Sequence, residues 1–147
     1  MQSRLDYQTA SPDTMKALLA LEQKVRASGL EHSLVELVKT RASQINGCAF
    51  CIHMHTRDAR AVGESEDRLH LLAAWRESPL YTSRERAALA WTESLTRIAD
   101  TGAPDADFAQ AHDAFTDDEL ARLTLLIGTI NIWNRFAIGF RAIHPVD

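Results

Sequence analysis

The chain has 147 residues, 46% of them hydrophobic, and its 16 Lys and Arg against 20 Asp and Glu give a net charge of −4 at pH 7. This length can bury a self-sufficient core without disulfides or structural metals, so we predict one domain over residues 1–147. The acidic balance and the lack of a basic run argue against nucleic acid as a partner. The most apolar stretch, Leu123 to Phe140, is interrupted by Asn131, Asn134 and Arg135 and is too polar to span a membrane. Since no apolar leader follows Met1, we expect a cytoplasmic protein.

Apolar residues recur at helical spacing along the chain and predict an all-α fold of about six to seven helices. The first helix begins at Pro12 and ends by Gly29. The second runs from about residue 31 to residue 45, where Asn46 and Gly47 favour a turn. The third opens at Cys48 and continues to about residue 62.

The second half of the chain shows four more helical segments. A short one carries Leu69 and Trp75 and ends before Pro79. Capping-box patterns, in which a hydroxyl residue is followed three positions later by Glu, predict helix starts at Thr82 and Thr116. The first of these helices runs through residue 98, and a short helix beginning at Pro104 lies between the two.

The last helix is apolar on nearly every side as far as Ile138. Such a helix must be covered all round, which other helices of so small a domain cannot easily do. We therefore expect part of its surface to be buried against another subunit, in a dimer, trimer or hexamer. The alternative is that it is the central helix of the core.

The two cysteines stand as Cys48-Ala49-Phe50-Cys51 at the start of the predicted third helix. At about 100° per residue, Cys48, Cys51 and His55 fall within about 60° of one another on one helix face. His53 lies about 140° away from Cys48 and does not join them.

This face suits thiol redox chemistry. The free N–H groups and the dipole of a helix N-terminus favour a thiolate, which by itself points to Cys48 as the nucleophile. Two sulfurs one helical turn apart can close a disulfide if that turn adjusts. His55, one turn after Cys51, can accept the thiol proton.

Glu36 is a candidate partner for this histidine. It lies in the preceding helix, and a tight turn at residues 45–47 would bring it level with His55. Its neighbours Leu34, Val35 and Leu37 are apolar, which favours a buried proton relay. A solvated outer face is the alternative interpretation.

These residues resemble the AhpD-like alkylhydroperoxidase branch of the carboxymuconolactone decarboxylase family. Its redox members carry a Glu, twelve residues later a CxxC pair, and a His four residues after the second Cys; Glu36, Cys48, Cys51 and His55 keep these intervals. The segments 45–56, 83–90 and 131–135 are similar as well, and the resemblance covers about residues 15–140. It implies an all-α, oligomeric protein.

The resemblance implies a dithiol peroxidase without a cofactor or metal. Cys51 attacks a small hydroperoxide and becomes a sulfenic acid, Cys48 condenses with it to a disulfide, and an external dithiol or redox protein reduces the pair. His55 and Glu36 are the implied proton relay. One position departs from the better-characterised branch, because Phe50 stands where that branch has a His before the second Cys.

Three other functions fit the same residues. Cys48, Cys51 and His55 could supply three ligands to zinc, although the fourth ligand is missing. The wider family is named for cofactor-free lactone decarboxylation, which does not depend on a CxxC pair. A non-catalytic oligomeric module could use the disulfide as a redox sensor.

The remaining candidates are assigned no chemistry. The histidines His32, His70 and His112 have no matched acid or thiol. The tryptophans Trp75, Trp91 and Trp133 are expected in the core or at an interface. Asn134 and Arg135 interrupt the last helix and are expected at a subunit contact or at the pocket wall.

Overall fold

The computed structural model describes residues 2–146, and these residues form an all-α fold, as predicted. They contain nine α-helices and one 3₁₀ turn, Leu72–Ala74. The helices are α1 (Tyr7–Ala10), α2 (Pro12–Arg26), α3 (His32–Asn46), α4 (Ala49–Ala61), α5 (Glu66–Leu71), α6 (Ser83–Thr96), α7 (Ile98–Thr101), α8 (Asp105–Ala114) and α9 (Asp117–Gly139). The predicted count of six to seven is too low, because α1 and α7 have four residues each and are too short to show a helical period.

Both predicted capping boxes are present at the helix N-termini. The Thr82 and Thr116 side chains each accept a hydrogen bond from the backbone of the Glu three residues later, whose carboxylate accepts one in return. The predicted stops are less accurate. The first long helix ends at Arg26 rather than at Gly29, and α6 ends at Thr96 rather than at residue 98.

Helix α3 lies at the centre and packs against α4, α6 and α9. The main core cluster combines apolar residues of α3, such as Val35 and Val38, with Ala88 of α6 and Leu123 of α9. Trp91 belongs to this cluster and Trp75 to a second one, so both tryptophans are in the core, as expected. This core fixes the position of α3 relative to α4, which the candidate site requires.

Helix α9 is buried on the side that faces α3 and α6. On its other side, Leu125 and Ile132 are 42% and 37% exposed, and Ile138, close to the C-terminal end of the helix, is 44% exposed. The helix is therefore not fully surrounded by its own chain, and its burial against a second subunit stays a prediction. No helix within residues 2–146 combines the length and apolarity that a bilayer crossing requires.

Candidate active site

The CxxC pair lies at the junction of α3 and α4. Gly47 adopts a left-handed conformation, φ 71°, which ends α3 and turns the chain back along it. Cys48 is the N-cap of α4, and the backbone N–H of Cys51 donates to its Sγ at 3.3 Å. The sulfurs of both cysteines therefore lie at the positive end of the helix dipole.

Cys48 and Cys51 are joined by a disulfide, with their Cα atoms 5.4 Å apart. Both residues are buried, together with Ala137 of α9. Phe50 and Ala142 pack against this group. The two cysteines are therefore close enough to form a disulfide, and this disulfide is covered by protein on several sides.

His55 and Glu36 are in contact, as the turn between α3 and α4 predicts. His55 Nδ1 lies 2.9 Å from Glu36 Oε2, and the two residues are 2% and 8% exposed. A carboxylate can only accept, so Nδ1 is the donor in this contact, and when only Nδ1 carries a proton Nε2 is left as the basic atom. This is the arrangement of a general base held by an orienting acid.

A cavity of about 270 Å³ opens beside this pair. Cys51 and His55 line it, whereas Cys48 does not. The other lining residues are mostly apolar or aromatic: Tyr7, Gln8, Leu19, Glu22, Arg26, Phe50, Met54, Trp133 and Ala137. A small molecule in the cavity would therefore contact Cys51 rather than Cys48.

A polar cluster that the sequence analysis missed forms one wall of the cavity. Glu22 accepts from Arg26 Nε at 3.0 Å and from Trp133 Nε1 at 3.1 Å, and it forms an ion pair with Lys39, which is fully buried. Burial by itself raises the pKa of Glu22, but the hydrogen bonds and charge of Lys39, with the other two donors, hold that pKa below its usual value. The Glu22 carboxylate is therefore ionised at neutral pH.

Asp58 brings a second carboxylate close to His55. Its carboxylate, that of Glu36 and a ring nitrogen of His55 lie within 4.8 Å of one another, and Arg26 approaches Asp58 at 4.0 Å. This group differs from the zinc ligand set of Cys48, Cys51 and His55 considered from the sequence. The nearby guanidinium reduces the repulsion between the two carboxylates.

Both ends of the described chain cover the site. Tyr7 of α1 packs on Phe136 and Phe140, with ring centroids 5.5 and 5.8 Å away, and also lines the cavity. On the other side, Ala142 packs against the cysteines, and His144 stacks on His53 with ring centroids 4.7 Å apart. His53 does not line the cavity, in agreement with the helical-face argument.

The other sequence candidates lie elsewhere. His112 is 3.1 Å from Asp117 at the surface. Trp133 is the exception, because it is partly buried and lines the cavity. Asn134 is buried and bonds within the chain, donating to Ser43 at 3.0 Å and accepting from Asn46 at 2.8 Å, so the described contacts tie α9 to α3.

Comparison with known proteins agrees with this architecture. The sequence profile described as "Carboxymuconolactone decarboxylase family" matches residues 12–94. The chain is 39% identical over 139 residues to the uncharacterized protein YdfG of Bacillus subtilis strain 168, covering 95% of each sequence.

Two solved structures show the same fold. One is a protein of unknown function from Agrobacterium tumefaciens, named as a candidate antioxidant defence protein AhpD; it is 51% identical, with a TM-score of 0.97 over 99% of this chain and 100% of its own. The other is the debrominase Bmp8 in complex with 2,3,4-tribromopyrrole, with a TM-score of 0.84, 16% identity, and coverage of 93% of this chain and 73% of its own. At that identity, the second likeness concerns the fold alone.

Proposed function

The chain belongs to the carboxymuconolactone decarboxylase family, and from this premise we propose that it is a dithiol peroxidase that reduces small organic hydroperoxides. The observation that carries the proposal is the shared cavity of Cys51 and His55, with Glu36 bonded to the far side of the imidazole. A thiol, a base and an orienting acid in this order are the parts that an activated sulfur nucleophile needs.

The first step begins with the reduced protein. His55 Nε2 takes the proton of Cys51, and the thiolate sulfur attacks one oxygen of the hydroperoxide. An S–O bond forms and the O–O bond breaks, so Cys51 is oxidised to a sulfenic acid and the substrate is reduced to an alcohol. The leaving alkoxide takes its proton from the His55 imidazolium, which the Glu36 carboxylate stabilises.

The second step forms the disulfide. The sulfur of Cys48 attacks the sulfenic acid of Cys51, the S–S bond forms, and the hydroxyl leaves as water with one proton. An external dithiol, either small or carried by a redox protein, then returns two electrons and two protons through thiol–disulfide exchange. No cofactor or metal enters this cycle.

Phe50 gives the cavity an apolar wall at the position where the resemblance has a His. It packs beside the cysteines and cannot relay a proton. Proton transfer in this protein therefore depends on His55 and Glu36, and Phe50 supplies contact area for an organic substrate.

The test measures how many free thiols remain after a single turnover. Reduced protein is mixed with one equivalent of cumene hydroperoxide, the remaining thiols are alkylated, and intact mass is measured. We expect both thiols to be lost in an intramolecular disulfide, Cys51→Ser to keep its remaining thiol, and Cys48→Ser to accumulate a sulfenic acid that dimedone traps. Survival of both wild-type thiols would overturn the proposal.

Repeated turnover separates a peroxidase from a redox-sensing module and from a lactone decarboxylase. With excess dithiothreitol as reductant, we expect many equivalents of hydroperoxide to be consumed per chain. A redox-sensing module would form the disulfide at a rate too slow to sustain turnover, and its oxidation would change its assembly. A lactone decarboxylase would act equally well in the Cys48→Ser and Cys51→Ser variants.

A further inference from the structure

The cavity beside Cys51 has aromatic walls. Trp133, Phe50 and Tyr7 all line it, and each is only partly buried, so part of their ring surface faces the cavity. Met54 and Leu19 extend this apolar surface to the outside, with exposed fractions of 36% and 52%. Partly exposed aromatic surface inside a concave site is typical of a place where an apolar ligand binds.

A hydrogen bond holds the indole of Trp133 in the cavity wall. Its indole N–H donates to Glu22 at 3.1 Å, and Glu22 is held in turn by Arg26 and by the fully buried Lys39. The polar edge of the indole is thereby satisfied within the protein. The part of the ring that faces the cavity is apolar.

The ring lines the same cavity as Cys51. Trp133 and Ala137 are one turn apart on α9, an axial separation of about 6 Å, and Ala137 packs against the cysteines. Phe50 also packs against them. A ligand that contacts both rings is therefore within reach of Cys51.

The size of the cavity limits the ligand. Its volume of about 270 Å³ equals that of about nine water molecules and falls just below the range of sites for drug-sized ligands. Hydrogen peroxide would leave most of this apolar surface in contact with water. One ring with a short substituent fits the available volume.

The charges on the wall do not favour an anionic ligand. Glu22 and Arg26 are bonded to each other, Arg26 also faces Asp58, and Lys39 is paired with Glu22. An added carboxylate would have to compete with Glu22 for these cations. The polar wall therefore holds Trp133 in place and leaves recognition to the rings.

We propose that Trp133 and Phe50 form a binding site for a single neutral aromatic ring, with Glu22 as a positioning residue for Trp133. The preferred substrate is then an aryl-substituted hydroperoxide. Only this last step rests on the proposed function, because ring binding does not require the thiol chemistry.

The first experiment compares cumene hydroperoxide with tert-butyl hydroperoxide, which replaces the phenyl group by a methyl group. The second-order rate constant for thiol loss is measured for each. We expect the wild type to prefer the aryl substrate by about tenfold, the range expected for one or two aromatic contacts. Equal rate constants in the wild type would overturn the proposal.

Variants locate the source of this preference. Trp133→Leu is expected to bring the ratio near one by slowing only the aryl substrate, and Trp133→Phe, which keeps a ring but loses the N–H, to retain part of it. Glu22→Gln is expected to lower the ratio less than Trp133→Leu does. A Trp133→Leu variant that slows both substrates equally would indicate a structural role and contradict the proposal.

The chain offers a matched control for Glu22. Glu93 accepts from Trp75 Nε1 at 2.9 Å and pairs with Arg41, but this second Trp–Glu pair lies outside the cavity. Glu93→Gln is therefore expected to leave the substrate ratio unchanged. An aryl-to-alkyl rate ratio that falls equally in Glu93→Gln and Glu22→Gln would contradict the proposal that Glu22 positions Trp133.

A binding measurement separates the two proposals. Cumyl alcohol, the product of the aryl substrate, is titrated into the oxidised protein while tryptophan fluorescence is recorded, with tert-butanol as the control and Trp133→Phe to assign the signal. Saturable binding of cumyl alcohol without any turnover would retain the ring site and reject the peroxidase. Turnover of both hydroperoxides at equal rates, without cumyl alcohol binding, would retain the peroxidase and reject the ring site.

Discussion

Glu36→Gln tests the proton relay with little change in shape. The variant keeps an oxygen that can accept from His55 Nδ1 but removes the negative charge that stabilises the imidazolium. The native contact is 2.9 Å long and nearly excluded from water, so it is a strong charge-assisted hydrogen bond. Hydrogen bonds to charged groups contribute about 1.5–3 kcal/mol, and each 1.36 kcal/mol is tenfold in rate, so we expect the first oxidation of Cys51 to slow by roughly 10- to 150-fold.

The assay is rapid quenching of reduced protein with excess cumene hydroperoxide, followed by intact mass. Glu93→Gln is the matched control, because it also removes a largely buried carboxylate that binds a nitrogen-bearing ring, but outside the cavity. The control should oxidise at the wild-type rate. A Glu36→Gln rate within twofold of wild type would refute the relay, and equal slowing in both variants would show that the effect is a general loss of structure.

Three further predictions concern stability, assembly and access. Burial raises the pKa of Glu93, but hydrogen bonds from Trp75 and two arginines outweigh this effect and hold the pKa below its ordinary value of 4.5. A carboxylate whose pKa is lowered by folding stabilises the protein at pH values above 4.5, and this stabilisation is lost as the pH falls through the pKa of the folded state. The melting temperature of wild type should therefore drop more steeply than that of Glu93→Gln below about pH 4.5. Melting temperatures that fall in parallel with pH in the two proteins would contradict this. Ile132→Glu, on the exposed side of α9, should shift the mass measured by light scattering from an oligomer towards the monomer, and a monomeric wild type would show the expectation to be wrong. His144→Ala removes the stacking on His53 and should speed disulfide reduction by dithiothreitol, whereas an unchanged rate would mean that the residues after α9 do not limit access.

The local features of the fold could be predicted because they depend on short-range chemistry. The Thr82 and Thr116 caps and the left-handed Gly47 are each specified within four residues. The contact of Glu36 with His55 follows from the same local information, since one tight turn joins the two helices that carry them.

The polar wall could not be predicted in this way. Glu22, Lys39 and Trp133 lie on α2, α3 and α9, and their contacts depend on how these three helices pack. The sequence does contain a weak signal, because Lys39 lies three residues after Glu36 and thus on nearly the same face of α3. A lysine beside a candidate buried acid suggests an ion pair, but nothing in the local pattern identifies its partner on α2.

The helix N-terminus and the cavity favour different cysteines as the reactive thiol, and the proposed cycle uses both effects. The helix N-terminus stabilises charge on Cys48, whose sulfur accepts from the N–H of Cys51, whereas the cavity and His55 serve Cys51. In the proposed cycle, Cys51 needs contact with the substrate and a base, and Cys48 needs a stabilised thiolate with no substrate contact. We therefore propose that attack on the hydroperoxide depends on access and on deprotonation by His55, and that the dipole acts on the second step, where a Cys48 thiolate closes the disulfide.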